Sequence, residues 1–184
     1  MPPAPERRAW RDAGAMQSPG DFADHPRVKA LIERFQSIDA AMRDLPLYNG
    51  KLAIKAIGFG TFGDDALLGV LLTPWFMNLM LLPIAPAPLA MADVGKAVLV
   101  ELPAGKRAFV TGGDEVIGLY RAHSLHSPVL NFTLPGQAQA EARRMLTLLM
   151  TPAAESAATN GSRPHGIDRR ALLFGRGPAP IRPA

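Results

Sequence analysis

The sequence predicts an α+β fold: an antiparallel sheet of about five strands covered by an N-terminal and a C-terminal helix, with disordered Pro/Gly-rich tails. Two amphipathic helical patterns enclose the body of the chain, five strand-like segments lie between them, and short connections join those segments. Short connections favour antiparallel pairing of consecutive strands. Because 184 residues are the length of one ordinary domain, we expect a single domain at residues 21–151.

Both helices are predicted from apolar residues spaced three and four positions apart. Residues 26–45 carry such a stripe, and Pro26 with Asp24 close before it is typical of a helix start. Residues 137–151 carry a second stripe, formed by Ala138, Ala142, Met145, Leu146 and Leu149. Each helix is therefore expected to bury one face against the sheet.

The strands are predicted from alternating or continuous apolar runs between turn residues. They occupy residues 51–57, 66–72, 97–102, 107–111 and 116–123. Residues 58–65 are expected to form a turn, so that the first two strands pair as a hairpin. A capping hydroxyl at Thr73 and a proline at Pro74 then favour a short helix at residues 75–82, which ends at Pro83.

The two ends of the chain, residues 1–20 and 152–184, are predicted to be flexible tails. The first lacks a long apolar stretch, and the second contains five prolines and four glycines. Such segments bury too little apolar surface to offset chain entropy. The net charge of +4 also lies in these tails, as +1 and +3, while residues 21–151 are neutral. A basic face that binds nucleic acid is therefore not expected.

Residues that could carry chemistry are few. The chain has no cysteine, which excludes disulfides, iron–sulfur clusters, thiolate zinc sites and thiol nucleophiles. His123 and His126 lie three residues apart, so a regular strand would place them on opposite faces, and no third metal ligand accompanies them. No set of nucleophile, base and orienting group can be assembled. We expect no metal, no cofactor and no catalysis.

A glycine pattern leaves one alternative open. Gly58, Gly60 and Gly63 match the spacing of a dinucleotide-binding loop, but such a loop lies between a strand and a helix, and here a strand follows. A hairpin turn is the favoured interpretation. The alternative is a small-molecule-binding domain or enzyme that uses the Gly58–Gly63 loop and His123.

Residues 66–92 contain no charged side chain. A membrane-spanning helix needs about 20 apolar residues without interruption, and Pro74, Pro83, Pro86 and Pro88 interrupt this stretch. A strand followed by a short helix fits these prolines better than a membrane span. A protein that binds a membrane surface is a third alternative.

The predicted helix at residues 75–82 is apolar on every side. It is either buried in the core or exposed on one side as a recognition surface. Burial on all sides is hard to complete in a small domain. Trp75 and Phe76 would be natural anchors for an apolar partner, and the flexible side chains of Met77 and Met80 would adapt to it.

The sequence from Leu67 to Pro83, LLGVLLTPWFMNLMLLP, resembles the signature of the HybE/HupJ-type nickel-iron hydrogenase assembly chaperone family. The segment 124–128 resembles the family's serine-leucine-x-serine-proline element. The segment 169–176 is similar to the basic and apolar end of some members. The resemblance covers residues 25–176, with the elements in the same order.

This resemblance implies a cytoplasmic assembly chaperone for a membrane-bound uptake hydrogenase, and neither an enzyme nor a membrane-spanning protein. Its clients would be the hydrogenase large subunit and the small-subunit precursor. The precursor carries a twin-arginine export signal, and the chaperone would delay export until maturation is complete. Because such a chaperone must bind apolar segments reversibly, we expect the helix to be partly exposed. The expected client-binding residues are Thr73, Pro74, Trp75, Phe76, Met77 and Met80.

A possible tail element lies near the C-terminus, at Arg169, Arg170, Leu172, Leu173 and Phe174. Two arginines before an apolar cluster resemble a twin-arginine signal, but no long apolar region follows, so the segment cannot direct export. It is either a merely basic tail or a placeholder that occupies the client site in the free protein. Tethering to the domain favours such self-occupancy.

Overall fold

A seven-stranded antiparallel sheet forms the centre of the structure, a computed structural model that describes residues 16–17, 22–86 and 91–152. The helices are α1 (Pro26–Met42) and α2 (Pro135–Met150). The strands are β1 (Met16–Gln17), β2 (Lys55–Phe62), β3 (Ala66–Leu72), β4 (Met77–Pro83), β5 (Ala97–Leu102), β6 (Gly105–Asp114) and β7 (Gly118–His126). Their order across the sheet is β1-β2-β3-β4-β7-β6-β5.

The predicted α+β class, with a helix before and after an antiparallel sheet, is confirmed. β3 and β5 have the predicted bounds, while the sheet has seven strands instead of about five. One added strand is β1, which pairs with Thr61 and Phe62 of β2. The rest of the predicted tails at residues 1–20 and 152–184 lies outside the described residues, apart from Pro152.

The second added strand replaces the short helix predicted at residues 75–82, and that prediction is wrong. β4 pairs with β3 on one side and with β7 on the other. The Thr73 amide donates to the Phe76 carbonyl at 2.8 Å, and the Thr73 hydroxyl accepts from the Trp75 and Phe76 amides at 3.3 and 2.9 Å. The hydroxyl thus caps a hairpin turn. A strand buried on both faces shows the same unbroken apolar pattern as a buried helix, so periodicity could not separate them.

The two helices cover opposite faces of the sheet, here called the α1 face and the α2 face. On β3, Leu67 and Leu71 pack on the α1 face with Val28 and Leu31 of α1. Leu68, Val70 and Leu72 of β3 pack on the α2 face in one cluster with Ala142 and Leu146 of α2. Both faces of β3 and β4 are therefore buried, which accounts for the uncharged run in the sequence.

The glycine-rich segment is mostly strand. Only residues 63–65 form the turn predicted at 58–65, because β2 continues through Phe62. A β-bulge lies between Ile57 and Gly60, and Gly58 adopts the left-handed conformation there at φ +63°. A Cβ atom at Gly58 would lie 2.5 Å from Leu146 Cδ2 of α2. The glycine thus permits close packing of the helix on the sheet.

The uncharged stretch at residues 66–92 supplies β3 and β4, so it forms no long helix. Among the described residues, none of the helices has the length and apolar character needed to cross a membrane. At the start of α1, the capping group is His25 instead of Asp24, because the Arg27 amide donates to His25 Nδ1 at 3.2 Å. Asp24 pairs instead with Lys29 at 2.9 Å.

Candidate functional site

The predicted client-binding aromatic residues lie at the turn between β3 and β4. Trp75 is only 5% exposed. Its ring stacks on Phe35 of α1 and on Tyr48, at centroid distances of 6.5 and 6.2 Å, and meets the Phe76 ring edge-on at 5.9 Å. The rings join α1, the segment before β2 and the hairpin turn into one aromatic cluster.

The remaining predicted residues are also mostly buried. Met77 packs on the α2 face and Met80 on the α1 face, and neither is exposed. Thr73 and Pro74 are buried in the turn, and Phe76 is partly exposed. The expectation that these residues form an outward-facing recognition helix is therefore wrong. Their contribution to client binding stays a prediction.

Asn49 joins the hairpin turn between β3 and β4 to the loop that follows β7. Its side-chain Nδ2 donates to the Val129 and Phe132 carbonyls at 3.0 and 2.9 Å, and its backbone N–H donates to the Pro74 carbonyl at 2.7 Å. The hairpin turn and the loop after β7 thus meet at one end of the sheet. The sequence gives no sign of this role, because an asparagine before Gly50 is typical of any turn.

The two histidines of β7 lie on the same face, so the prediction of opposite faces is wrong. The pairing register shifts between Met77 and Asn78, which adds one residue to β7 before His126. The His123 ring lies 5.5 Å from Phe109, and its Nδ1 is 2.8 Å from the Ala108 carbonyl oxygen. Both contacts are structural.

His126 takes part in a small polar cluster with α2. Its Nε2 lies 3.3 Å from Glu141 Oε1, and Arg144 donates to both carboxylate oxygens at 2.7 Å. The Arg144 hydrogen bonds outweigh partial burial and, with His126, lower the pKa of Glu141 to about 2. Within the parts of the chain that the structure describes, no three acidic or histidine side chains converge to hold a metal ion.

The Gly58–Gly63 loop and His123 do not form a common site. Ile57, Val70, Leu79 and His123 pair in a line across β2, β3, β4 and β7. Three strand spacings separate the first from the last, about 14 Å. The geometry therefore gives no support to the alternative of an enzyme or ligand-binding domain built from these residues.

An uncovered apolar surface lies on the α1 face, over the three strands beyond β4. Leu99 is 71% and Val110 50% exposed. Leu99 pairs with Ala108, and Val110 with both Ala97 and Ala122. We call this surface the open face, defined by Ala97, Leu99, Ala108, Val110, Ala122 and Ser124.

The open face is unusual because the opposite side of the same strands is also apolar. Val100, Leu102 and Phe109 alternate with the open-face residues and are buried on the α2 face. A sheet with one solvated face normally alternates apolar and polar residues. Leu99 and Val110 therefore make this surface a candidate for binding another protein.

A buried polar atom lies at the border of the open face. Asn78 of β4 pairs with Leu71 on one side and with Ser124 on the other, which places it on the α1 face. Its Oδ1 is buried and has no hydrogen-bond partner in the described structure. An unsatisfied buried acceptor costs about 1–3 kcal/mol.

At the end of β6, an ion pair links the sheet to α1. Arg34 donates to Asp114 at the end of β6. Burial raises the pKa of the Asp114 carboxyl, but hydrogen bonds from the Ile117 amide and from Arg34 outweigh it and hold that pKa below its usual range. The Tyr120 ring lies over Gly112, where a Cβ atom would come within 2.7 Å of it.

The sequence contained weak signals for this surface. Asn78 is the one polar side chain between Trp75 and Leu82. β5 reads Ala-Val-Leu-Val-Glu-Leu, so apolar residues occupy both alternating sets of positions. The possible tail element, Arg169 to Phe174, lies outside the described residues.

Comparison with known proteins gives consistent matches. Residues 26–175 match the family model described as NiFe-hydrogenase assembly, chaperone, HybE. The hydrogenase expression/formation protein HupJ of Bradyrhizobium diazoefficiens is 37% identical over 139 residues, which cover 74% of this chain and 80% of that protein. Protein HoxT of Cupriavidus necator is 36% identical over 82% of this chain and 89% of its own.

A solved structure has the same fold. The solution structure of HybE from Escherichia coli matches 93% of this chain and 98% of its own, with a TM-score of 0.50. At 24% sequence identity this similarity concerns the fold alone.

Proposed function

Because the chain belongs to the HybE family of nickel-iron hydrogenase assembly chaperones, which are not enzymes, we propose that its open face binds apolar segments of unfinished hydrogenase subunits. The observation that carries the proposal is the exposure of Leu99 and Val110 on this face of the sheet. A chaperone must bind before assembly and release afterwards. Covering each of the two apolar side chains would contribute about 1.5–3 kcal/mol at most, which suits reversible binding.

The clients that we propose are the hydrogenase large subunit and the small-subunit precursor with its twin-arginine signal. The protein would hold the precursor in the cytoplasm and delay its export until maturation is complete. Holding a partner in this way requires a binding surface but no catalysed reaction.

The signature segment supports the open face from one side in this proposal. Met80 pairs with Ala122 and Asn78 pairs with Ser124. β4 is therefore the strand next to the open face in the sheet. Trp75 and Thr73 fix the hairpin that positions β4. Phe76, which is partly exposed on the α1 face, is the member of this segment that we expect to touch the client.

Co-purification tests the proposal. The tagged full-length protein and its Leu99→Lys/Val110→Lys variant are isolated from cells that make the hydrogenase, and the captured proteins are identified. The matched control is Val116→Lys/Leu148→Lys, since these side chains are exposed elsewhere, on the β6–β7 turn and on α2. We expect capture of hydrogenase subunits by the wild type and the control only. Equal capture by the open-face variant would refute the site, and capture of no hydrogenase subunit by any of the three would refute the clients.

A further inference from the structure

We propose that the chain's own segment Arg169–Phe174 occupies the open face in the free protein and leaves it when a client binds. The idea rests on the proposed function, because it concerns the regulation of the same surface. Four observations support it: the position where the described chain ends, the number of residues that follow, their chemistry, and the extent of the family match.

The described chain ends beside the β5–β6 turn, at the end of the strand that carries Leu99. The Ala104 amide, in the turn between β5 and β6, donates to the Leu149 carbonyl in the last turn of α2 at 3.1 Å. Thr151 and Pro152 therefore follow directly beside this turn. Leu99 lies three residues from Leu102, the last residue of β5, which is about 10 Å along the strand.

The connecting chain is long enough to reach around the sheet edge. Sixteen residues separate Pro152 from Arg169, and glycine, proline, serine and alanine dominate them with few large apolar side chains. By general chain statistics, a linker of 16 such residues spans about 22 Å root-mean-square. This span exceeds the distance along β5 and leaves length for the passage from the α2 face to the α1 face.

The chemistry of the segment matches the surface. Ala171–Phe174 is the longest apolar run after Pro152, and it suits the exposed Leu99 and Val110. Glu101 shares the side of β5 that carries Leu99, and Lys106 approaches it only to 4.0 Å, so its carboxylate can receive an arginine. The family match also continues to residue 175, one position past Phe174.

The expected strength is modest. A tether of this kind gives an effective concentration of about 1 mM. With an intrinsic dissociation constant of about 0.1 mM, the segment would fill the open face in roughly nine molecules of ten and weaken client binding about tenfold. Such a placeholder shields the apolar surface without blocking a client that binds in the micromolar range.

A spin label tests the contact in the intact protein. Since the chain has no cysteine, Gly175→Cys provides a single attachment site directly after Phe174. In the nitrogen-15-labelled protein, we expect signal loss at the β5 and β6 amides, and recovery when Leu172, Leu173 and Phe174 are all changed to serine. No preferential loss at β5 and β6 would overturn the proposal. So would signal loss that appears equally when spin-labelled and isotope-labelled molecules are mixed, because a second copy would then be the occupant.

A binding assay separates this proposal from the proposed function. With the purified small-subunit precursor as probe, we expect the triple-serine variant to bind about tenfold more tightly than the wild type. Unchanged or weaker binding by that variant counts against the placeholder. If the Leu99→Lys/Val110→Lys variant still loses the precursor in the same assay, the proposed function stands and only the tail contact fails.

Discussion

Replacing Trp75 with alanine tests whether the signature tryptophan acts through the core or through an exposed surface. The side chain is 5% exposed and its ring lies between Phe35 and Tyr48, with Phe76 at its edge. Tyr48 is held in turn by a hydrogen bond from its hydroxyl to Asp39 at 3.0 Å. The alanine variant therefore removes the centre of a cluster that joins α1 to the hairpin.

The expected cost follows from the burial. Truncating a buried tryptophan to alanine lowers the free energy of unfolding by about 3–5 kcal/mol. Domains of this size are stable by about 5–15 kcal/mol in total. At about 3–4 °C per kcal/mol, the melting temperature of Trp75→Ala should fall by roughly 9–20 °C.

The assay is thermal unfolding followed by far-ultraviolet circular dichroism. Trp75→Phe is the matched control, because a phenyl ring keeps most of the stack and should retain most of the stability. We also expect Trp75→Phe to capture clients as the wild type does. A change of less than about 3 °C for Trp75→Ala would contradict the reasoning, since it would mean that the side chain contributes little to the core.

Three further predictions concern other positions. Asn49→Ala removes the two hydrogen bonds that its side chain donates to the Val129 and Phe132 carbonyls, of which only the Val129 carbonyl keeps another donor, so the free energy of unfolding measured in urea should fall by about 1–3 kcal/mol. Gly69→Ala would place a Cβ atom 2.4 Å from a neighbouring phenyl ring and should cost about 1–3 kcal/mol in the same assay, while Gly136→Ala, with open space around it, should not destabilise. Glu141→Gln should destabilise at pH 7, because the Arg144 hydrogen bonds lower the pKa of Glu141 to about 2. A lowered pKa stabilises the fold above the ordinary value of 4.5, so the difference from wild type should shrink steadily as the pH falls from 5 through 2. A difference that stays undiminished over this range would contradict that assignment.

The elements that could be predicted are those whose sequence pattern fits only one kind of secondary structure. α1 and β3 follow from a regular stripe and a continuous apolar run, and their bounds are close to the predicted ones. β4 could not be distinguished from a helix, because its side chains are buried on both faces and a hydroxyl followed by proline serves a turn as well as a helix start. Its pairing with β3 in a hairpin and with β7, whose partner residues lie 40 to 49 positions later, decides between them.

The site was harder to predict, because exposure is a property of the assembled sheet. Trp75 and Met80 are apolar in the same way as Leu99 and Val110, and only the position of α1 over β3 and β4 buries the first pair and leaves the second pair uncovered. The register shift in β7 likewise reverses the expected direction of His126. No clear sequence pattern marks the bulge in β7 or the point in the sheet beyond which α1 no longer covers the strands.

Amide hydrogen exchange with and without a client tests the central claim most directly. The full-length protein is mixed with the purified small-subunit precursor or the immature large subunit, and exchange is followed by mass spectrometry. We predict slower exchange in β5 and β6 on binding of at least one of these subunits, with little change on the outer surface of α2. If both subunits bind and leave exchange in β5 and β6 unchanged while another surface becomes protected, the open face is not the chaperone's client site.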